Sequence, residues 1–445
     1  MIKIPKNINK VLTDLHKAGF EAYIVGGCVR DSLMGKTPMD YDITTSALPW
    51  QMKEVFEDHK IVETGITHGT STLIIEGNPI EITTYRIEDG YSDNRHPDKV
   101  EFTSNIKEDM ARRDFTMNAI AFNYEDGIVD YFGGQEDIKA RIIRCVGRPD
   151  ARFKEDALRI MRALRFAAVT GFEIESDTLL EANNNRELLK NISAERVRDE
   201  LCKLLCAKNT KKVLTNGAEI IGTIIPEIVE AIGFNQKNPH HVYDVYEHTL
   251  GVVDAIEPKL ELRLAALLHD IGKPRCFSQD EEGIGHFYKH ELVSAQITQD
   301  IMERLKFDNA TKASVVELVK NHGVEIATTE KSVKRALNKL SPETFLDLLK
   351  LKRADNLGQG QQYWCRQEKY NQLEEMAKSI IERKECFSLK DMELDGDDLL
   401  AMGMNPGKEI GEILENLLEA VINEDVPNEK EVLKAKAASI IEKIK

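Results

Sequence analysis

Short runs that alternate apolar and polar residues mark the first third of the chain. They include EAYIV, TLIIEG, PIEITTYR and GIVDYFGG, all within residues 1–145. Alternation with a period of two is typical of strands that bury one face, and helical stretches lie between these runs. The pattern therefore predicts an α/β domain built around a small sheet.

From about residue 146 the spacing of apolar residues changes to three and four, which predicts amphipathic helices almost to the end. TLLEANNNRELLKNISAERVRDELCKLLC, TFLDLLKLKRADNL and GKEIGEILENLLEAVI show this spacing. The predicted fold class is therefore α+β. Breaks in the pattern near Gly147, at FNQKNPHH and in the charged stretch 382–397 predict four domains, 1–145, 146–240, 241–380 and 381–445.

The composition fits a soluble globular protein, with 42% hydrophobic and 31% charged residues. No apolar run approaches the roughly 18 residues that a membrane span needs. The first residues, MIKIPKNINKVLTDLHKAG, do not resemble a signal peptide, so a cytoplasmic location is predicted. Seven cysteines without CxxC or Cys/His spacing are predicted to be reduced core thiols.

The net charge of −16 argues against a broad surface that coats nucleic acid. Basic residues nevertheless cluster in RRDFTMNA, RIIRCVGRPDARFK, RIMRALRF and SAERVRDELCK, all within residues 112–203. This asymmetry predicts one basic cleft inside an acidic shell.

Two short motifs near the amino terminus have the residue types of a phosphate and metal site. An apolar strand runs into Gly26-Gly27, where the missing Cβ atoms let backbone amides approach a phosphate. In the DYDI motif, strand alternation is expected to place Asp40 and Asp42 on one face, with Tyr41 opposite. Paired carboxylates repel each other unless a divalent cation such as Mg²⁺ neutralises them.

The stretch KEDALRIMRALRF places Asp156 and Arg159 three residues apart among helix formers. The pair is expected to share one helical face. Taken alone, such a pair is usually a solvated ion pair that stabilises a helix by only ~0.3–0.5 kcal/mol. Its role therefore depends on the rest of the chain.

The motifs GG-x-VRD, DYDI, ARRDFTMNAIAF, DYFGGQEDI, EDALRIMRALRF and ISAERVRDEL occur in that order over residues 20–205. With this order of motifs the chain resembles the class II tRNA nucleotidyltransferases, which comprise CCA-adding enzymes and bacterial poly(A) polymerases. The resemblance implies a polymerase β-like nucleotidyltransferase head, an all-α neck, a body and a tail. It also implies template-independent addition to a tRNA 3′ end from CTP and ATP. The carboxyl end, from DLLAMGMNPG onward, resembles a tail that engages the tRNA body.

The resemblance assigns roles to individual residues. Asp40 and Asp42 are the implied catalytic ligands of two Mg²⁺ ions. Glu81 is either a third carboxylate ligand of these ions or, as we prefer, a cross-strand partner for a Lys or Arg side chain. Glu155 is predicted to support neighbouring arginines, and Arg196 and Arg198 are predicted to steady the neck helix. The implied nucleotide contacts are Gly26, Gly27 and Arg30 for the triphosphate, Arg112 and Arg113 for phosphate, Asp114 and Asn118 for ribose, and Arg162 for stacking or phosphate.

Within this framework Asp156 and Arg159 become a candidate reader of the nucleobase. Cytosine and adenine both present an amino donor next to a ring-nitrogen acceptor, whereas uracil and guanine present the reverse order. A carboxylate and a guanidinium therefore recognise C and A alike, which is the specificity that a CCA end requires.

A second candidate site lies in YEHTLGVVDAI, LRLAALLHDIGKPRCF and KRADN. His248, the adjacent His269 and Asp270, and Asp355 resemble the ligands of HD-superfamily metal-dependent phosphohydrolases. His290 and His322 are candidates for a second metal. Imidazole ligands favour a transition metal such as Ni²⁺, Co²⁺, Mn²⁺ or Zn²⁺ over Mg²⁺. Catalysis by this domain and a structural role both stay open.

Three alternatives remain at this stage. The chain is also compatible with a poly(A) polymerase that acts on other RNAs, and with a phosphohydrolase whose amino-terminal half binds RNA. Within the preferred function, sequence does not separate CCA addition from addition of the last A. RIEDGYSDNRHPDKVEF resembles the flexible loop that A addition needs, which disfavours a CC-only enzyme. The oligomeric state is not predicted.

Overall fold

The alternating runs of the first 145 residues form a seven-stranded mixed sheet. The computed structural model describes residues 2–65, 69–91, 94, 97–238, 242–359, 364 and 366–444. The strands up to residue 129 are β1 (Ala22–Val25), β2 (Asp42–Thr45), β3 (Lys60–Gly65), β4 (Thr70–Ile75), β5 (Asn78–Thr84), β6 (Arg86–Asp89), β7 (Lys99–Phe102), β8 (Ala121–Asn123) and β9 (Gly127–Val129).

The sheet has the order β3–β4–β5–β2–β1–β8–β9, and β6 pairs with β7 in a separate hairpin. Within the large sheet β2 and β5 are parallel and the other neighbouring strands are antiparallel. This arrangement places the end of β1 beside the start of β2, because Val25 pairs with Asp42. The helices of this region are α1 (Lys6–Lys17), α2 (Gly27–Leu33), α3 (Pro49–Val55), α4 (Ile106–Ala111) and α5 (Gly134–Ala140).

Helices dominate residues 142–229, as the sequence predicts. They are α6 (Pro149–Glu155), α7 (Leu158–Thr170), α8 (Ser176–Asn184), α9 (Ala194–Leu205), α10 (Thr210–Asn216) and α11 (Ala218–Ile224), and two short parallel strands, β10 (Ile142–Ile143) and β11 (Glu173–Ile174), join them. α7 is largely buried, since Ile160, Met161 and Leu164 are at most 1% exposed. Buried apolar area of this kind is the main stabilising contribution to such a bundle.

One prediction about this region is wrong. KEDALRIMRALRF is not a single helix, because α6 ends at Glu155 and α7 begins at Leu158. Asp156 between them has φ −134° and ψ 102°, which is extended backbone. Its Oδ1 accepts a hydrogen bond from the backbone N–H of Leu158, at 3.0 Å. Aspartate favours such helix-start positions because its side chain competes for backbone donors.

The chain divides into two units, residues 1–229 and 230–445. The second unit contains α12 (Val245–Ala255), α13 (Leu260–Leu268), β12 (Ser278–Gln279), β13 (Gly285–His286), α14 (His290–Arg304), α15 (Asn309–Asn321), α16 (Glu330–Leu340), α17 (Pro342–Gly358), α18 (Gln367–Glu382), α19 (Gly396–Ala401), α20 (Lys408–Ile422) and α21 (Lys430–Ile444). Its last helices enclose their own apolar cluster around Leu399, Leu417 and Leu433. The α+β class is thus confirmed, while the finer division into four domains stays a prediction.

None of the helices in the described part of the chain is long and apolar enough to cross a membrane. The six described cysteines are all free thiols, and Cys28, Cys145 and Cys386 are buried. Burial raises the pKa of Cys28 to about 11, so this thiol is protonated at neutral pH.

Candidate active site

A cleft of about 790 Å³ opens in the amino-terminal unit. It brings together the end of β1, the start of α2 and β2, the RRDFTMNA segment and α7. All twelve residues predicted for catalysis and nucleotide binding line it, namely Gly26, Gly27, Arg30, Asp40, Asp42, Arg112, Arg113, Asp114, Asn118, Asp156, Arg159 and Arg162. A common cavity is the geometric requirement for these residues to act on one ligand.

The two candidate catalytic carboxylates lie at one edge of this cleft. Asp42 is the first residue of β2, whereas Asp40 precedes the strand. The prediction that both residues lie on one face of a strand is therefore wrong. Both are exposed to the cleft. Partial loss of hydration and the nearby charge of Asp40 raise the pKa of Asp42, while Arg113 opposes this shift. Two repelling carboxylates of this kind are suited to a divalent cation.

Glu81 lies on β5, the parallel neighbour of β2. Because Ile43 pairs with Ile82, the position of Glu81 is level with Asp42. Glu81 is exposed and lines a second cavity together with Asp40 and Asp42. No Lys or Arg in the described ranges forms an ion pair with Glu81, so the preferred cross-strand pairing is not found.

The glycine turn also lines the cleft. Gly26 has φ +78°, and a Cβ atom there would lie 3.2 Å from Nη1 of Arg113. The position therefore suits glycine both in conformation and in space. Helix α2 begins at Gly27, and Arg30 on this helix donates to Oδ1 of Asn118 at 2.7 Å.

Asp114 is the central acceptor of the cleft. Nη2 and Nε of Arg162 donate to its Oδ2 at 2.6 and 2.9 Å, and Nδ2 of Asn118 donates to its Oδ1 at 3.0 Å. Although burial alone would raise it, Arg162 and these hydrogen bonds lower the pKa of Asp114 to about 2. Asp114 is therefore ionised throughout the physiological range, and it fixes the fork of Arg162 in one orientation.

The two arginines of the RRD motif differ in their surroundings. Arg112 is held by Asp109 at 2.7 Å and by Glu88 at 3.3 Å. Arg113 is 3.4 Å from Asp109, and its Nε is buried with no hydrogen-bond partner among the described residues. Arg113 is thus the better placed of the two to meet an incoming phosphate, and Arg112 mainly stabilises the wall.

Asp156 and Arg159 both face the cleft but do not pair with each other. Nη1 of Arg159 donates to Glu155 at 2.7 Å and to the carbonyl of Arg152 at 3.2 Å, and its Nη2 donates to the carbonyl of Arg112 at 2.8 Å. Glu155 also pairs with Arg152 at 2.8 Å, so its predicted supporting role is confirmed. A guanidinium has five N–H groups, and three are used here, so two remain for a ligand.

The segment that contains Asp156 also receives the tip of the β6–β7 hairpin. The backbone carbonyl of Asn94 accepts from the N–H of Ala157 at 3.1 Å, and Nδ2 of Asn94 donates to the carbonyl of Lys154 at 2.7 Å. Asn94 belongs to the stretch predicted as the flexible loop for A addition. Residues 92, 93, 95 and 96 of that stretch lie outside the described residues. The described part of the loop is therefore anchored beside the candidate base reader.

A second cluster of polar residues is buried in the carboxyl-terminal unit. Nε2 of His248 lies 3.0 Å from Oδ1 of Asp355, and Nε2 of His269 lies 3.2 Å from Oδ2 of Asp270. The two Nε2 atoms are 3.4 Å apart. These side chains come from α12, the end of α13 and α17, so the fold brings together all four residues that the sequence predicts as ligands.

The two histidines predicted for a second metal lie on the other side of Asp270. Nε2 of His290 is 3.3 Å and Nε2 of His322 is 3.5 Å from its Oδ1. Asp270 thus faces two groups of possible ligands, one through each oxygen. Lys273 occupies part of this space, because its Nζ donates to Oδ2 of Asp270 at 2.7 Å. Asp270 therefore lies between two groups of side chains that could each hold a metal ion.

The tautomers of three histidines support this interpretation. Nδ1 of His269, His290 and His322 lies 2.9, 2.8 and 2.6 Å from the backbone carbonyl three residues earlier. A carbonyl only accepts, so each Nδ1 carries the proton and each Nε2 is left to face the cluster. Buried lone pairs that face one another need a cation or a proton between them.

The charges of this cluster are strongly coupled. Although burial would lower it, Asp270 and Asp355 raise the pKa of His269 above its ordinary value. Burial would raise the pKa of Asp270, but His269 and Lys273 hold it well below its ordinary value. Asp270 therefore favours a positive charge next to Nε2 of His269, which a proton or a metal ion would supply.

Comparison with known proteins places these sites in a family. Three family models match parts of the chain: the Poly A polymerase head domain at residues 22–144, a probable RNA and SrmB binding site of polymerase A at 171–216, and tRNA nucleotidyltransferase domain 2 at 280–437. A CCA-adding enzyme of Lactobacillus delbrueckii subsp. bulgaricus is 34% identical over 422 residues, which is 94% of this chain and 93% of the relative. The chain belongs to the family of CCA-adding enzymes.

Further relatives agree with this membership. The CCA-adding enzyme of Ligilactobacillus salivarius is 32% identical over 450 residues, 99% of this chain and 98% of the relative. The crystal structure of the Bacillus stearothermophilus CCA-adding enzyme in complex with CTP has a TM-score of 0.75 at 27% identity, covering 98% of this chain and 97% of that one. A Thermotoga maritima CCA-adding enzyme complexed with tRNA shares the fold, with a TM-score of 0.59 at 22% identity, covering 99% and 97%.

Membership in the CCA-adding enzyme family confirms that the chain is a tRNA nucleotidyltransferase. Nucleotidyltransferases of this kind use divalent metal ions, in agreement with the paired carboxylates. None of the three matching models describes an HD domain, so that resemblance stays a prediction.

Several contacts around the cleft were not predicted from the sequence. Nη2 of Arg196 on α9 lies 3.6 Å from Oδ2 of Asp156, so this residue contacts the candidate base reader rather than only steadying the neck. Phe166 lies beneath Arg165, at 3.9 Å from its guanidinium to the ring centroid. Arg165 in turn pairs with Glu200 of α9. The only sequence signal for these contacts is that their motifs occur together.

Proposed function

We propose that this chain adds C, C and A to the 3′ end of tRNA from CTP and ATP, without a nucleic-acid template. The observation that carries the proposal is the single cleft in which two carboxylates, a glycine turn, several arginines and the Asp156–Arg159 segment converge. The relative from Bacillus stearothermophilus binds CTP, and that from Thermotoga maritima was solved with tRNA. We place the reaction in the cytoplasm.

In this reaction the terminal ribose 3′-oxygen attacks the α-phosphorus of the nucleotide. A new O–P bond forms, the bond between the α-phosphorus and the β-bridging oxygen breaks, and pyrophosphate leaves. Asp40 and Asp42 fit a pair of Mg²⁺ ions, since both carboxylates are open to the cleft and their repulsion contributes to the raised pKa of Asp42. When bound, the ions lower the pKa of the attacking hydroxyl and neutralise the leaving pyrophosphate.

The chain's own residues orient the nucleotide. The amide of Gly27 and the guanidinium of Arg113 receive the triphosphate, whereas the N–H of Gly26 already donates to the carbonyl of Ile120 at 3.1 Å. Asp156 accepts from the amino group of C or A, and the two remaining N–H groups of Arg159 supply the donor for the ring nitrogen. Because Arg159 is fixed by Glu155 and by backbone carbonyls, the reader is rigid and needs no template strand.

Replacement of Asp156 by Asn tests the base reader. The amide keeps an oxygen for the N–H of Leu158, so α7 should still begin correctly, but it presents N–H groups to the amino group of the base. We expect the preference for CTP over UTP to fall about ten- to a hundredfold, equivalent to roughly 1–3 kcal/mol. The measurement is single-nucleotide incorporation efficiency with each of the four triphosphates.

Asp150→Asn is the matched control, because Asp150 lies on α6, pairs with Arg148 and does not line the cleft. It should leave the four efficiencies unchanged. An unaltered preference in the Asp156→Asn variant would show that this carboxylate does not read the base. The exchange of Asp156 and Arg159 is a poorer test, since an aspartate at 159 would face Glu155.

The proposed activity itself is tested with three tRNAs that lack CCA, CA or A, each incubated with CTP and ATP separately. We expect C to be added to the first two substrates and A only to the third. Addition of A to the third alone, with no use of CTP, would identify an A-adding enzyme. Long A tails on unrelated RNAs would favour the poly(A) polymerase alternative.

We also propose a second activity, metal-dependent phosphohydrolysis, for the carboxyl-terminal unit. The observation that favours it is that the two oxygens of Asp270 face four histidines, namely His248, His269, His290 and His322. Hydrogen bonds from Nδ1 to backbone carbonyls orient the last three of these rings. A transition metal such as Ni²⁺, Co²⁺, Mn²⁺ or Zn²⁺ suits these ligands. Bound there, it lowers the pKa of a water for attack on phosphorus. Small phosphate esters or a 2′,3′-cyclic phosphate at an RNA end are the proposed substrates.

A further inference from the structure

One phenyl ring, that of Phe166 on α7, contacts three arginines of the cleft. The guanidinium carbons of Arg165, Arg30 and Arg162 lie 3.9, 5.1 and 5.3 Å from its ring centroid. Phe166 is 6% exposed, and the ring of Phe115 packs edge-on against it, with 5.8 Å between the centroids. The three arginines and Phe166 all line the cleft, although they come from two separate helices.

Three guanidinium groups this close together repel one another. Burial and the charge of Arg162 lower the pKa of Arg165, although Glu200 opposes this shift. Carboxylates compensate part of the charge, since Asp114 pairs with Arg162 and Glu200 pairs with Arg165. The negative face of an aromatic ring attracts cations as well. Phe166 is therefore the contact that the three arginines share.

The three arginines keep N–H donors for a ligand. A guanidinium has five N–H groups. Towards the described residues, Arg30 uses at most three of them, Arg162 two and Arg165 one. At least two N–H groups of each arginine therefore stay available to an anion in the cleft, and hydrogen bonds between charged groups are the strongest ones.

We infer that Phe166 is a positioning residue that holds Arg30, Arg162 and Arg165 together as one surface for the phosphate groups of the nucleotide; this inference rests on the proposed function. Phe166 acts through the arginines and does not itself bind phosphate. Arg165, which has no role assigned from the sequence, becomes a phosphate contact. The effect of the ring is the same for CTP and ATP, because the phosphate groups are common to both.

The affinity for inorganic tripolyphosphate tests the inference without relying on activity. Calorimetry of the full chain with Mg²⁺ measures its Kd. We expect Phe166→Leu to raise this Kd about tenfold, because leucine keeps an apolar side chain but has no ring. Phe166→Tyr keeps the ring and should bind tripolyphosphate within about twofold of the unaltered chain. In the leucine variant the KM for CTP and for ATP should rise by one common factor, while the preference for CTP over UTP stays unchanged.

Phe172→Leu is the matched control. Phe172 is also buried, and the guanidinium carbon of Arg141 lies 5.3 Å from its ring centroid, but Phe172 does not line the cleft. This variant should bind tripolyphosphate like the unaltered chain. Phe166→Met, whose flexible side chain also fills the space without a ring, gives the same comparison if the leucine variant does not fold.

Three results would overturn the inference: unaltered tripolyphosphate affinity without the ring, an equal loss in the Phe172→Leu control, or a loss in Phe166→Tyr as large as in Phe166→Leu. A double variant that adds Arg165→Lys gives a further check. Residues that act together lose affinity less than additively, so strictly additive losses would also contradict the inference. A chain that shows the expected tripolyphosphate losses but adds neither C nor A would refute the proposed function and not the role of Phe166.

Discussion

Asp40→Asn and Asp42→Asn variants are expected to lose nucleotide addition by at least about a thousandfold, which corresponds to roughly 4 kcal/mol of transition-state stabilisation. Both carboxylates line the cleft proposed for the nucleotide, so each variant would lack one ligand of the cation pair that the reaction needs. The amides keep the size of the side chains but remove the charges that hold divalent ions. The measurement is the rate of C addition to a tRNA that lacks CCA.

Binding measurements separate this effect from a loss of structure. Both variants should bind tRNA nearly as well as the unaltered chain, because these carboxylates do not attract a polyanion. Asp58→Asn, an exposed change from aspartate to asparagine outside both cavities, should retain the full rate. Addition at the unaltered rate in either variant would refute the assignment of Asp40 and Asp42 as catalytic ligands.

Residue types and motif order were enough to predict the members of the cleft, but not their local geometry. DYDI specifies two carboxylates, yet the strand begins only at Asp42, because pairing with Val25 of β1 determines where β2 starts. That register is a property of the whole sheet and is not visible in the tetrapeptide. Both side chains nevertheless line the cleft.

The break between α6 and α7 has a similar origin. The residues around Asp156 favour a helix, and their spacing predicts a shared face with Arg159. The N–H of Ala157 instead bonds the carbonyl of Asn94, more than 60 residues earlier in the chain. Such a tertiary contact overrides local propensity, so the sequence predicted that these two residues line the cleft but did not predict their hydrogen-bond partners.

The buried cluster of the carboxyl-terminal unit was predicted more completely. Helix ends leave backbone carbonyls without partners, and His269 and His322 each follow the last residue of a helix. Their Nδ1 atoms are satisfied by those carbonyls, and their Nε2 atoms are left facing inward. Lys273, which bonds both Asp270 and Gln236, was not predicted as part of the cluster, because Gln236 belongs to a distant loop.

Asp270→Ala is expected to abolish metal binding in the carboxyl-terminal unit and any phosphate-ester hydrolysis, while sparing CCA addition. The two oxygens of Asp270 face both groups of histidines, so its loss would remove one ligand from each candidate metal position. Purified protein loaded with Mn²⁺, Ni²⁺, Co²⁺ or Zn²⁺ in turn should be measured for bound metal and for hydrolysis of p-nitrophenyl phosphate and 2′,3′-cyclic AMP.

A graded set of variants makes this result specific. His322→Gln removes a ligand of only one group, so bound metal should fall from two ions per chain to one. Asp254→Asn, an exposed change on α12, should leave the metal content unaltered. The rate of C addition by each preparation reports whether the amino-terminal unit has folded. Circular dichroism at 222 nm checks whether the helices of the carboxyl-terminal unit have formed.

The pH dependence of metal binding provides an independent check. The raised pKa of His269 means that a proton competes with the metal for Nε2. Metal affinity should therefore weaken as the pH falls through neutrality and should recover at higher pH. The opposite outcome is an unaltered chain that binds none of these metals between pH 6 and 8 and hydrolyses neither ester. The cluster would then be a buried hydrogen-bonded network, in which Lys273 is the cation that neutralises Asp270.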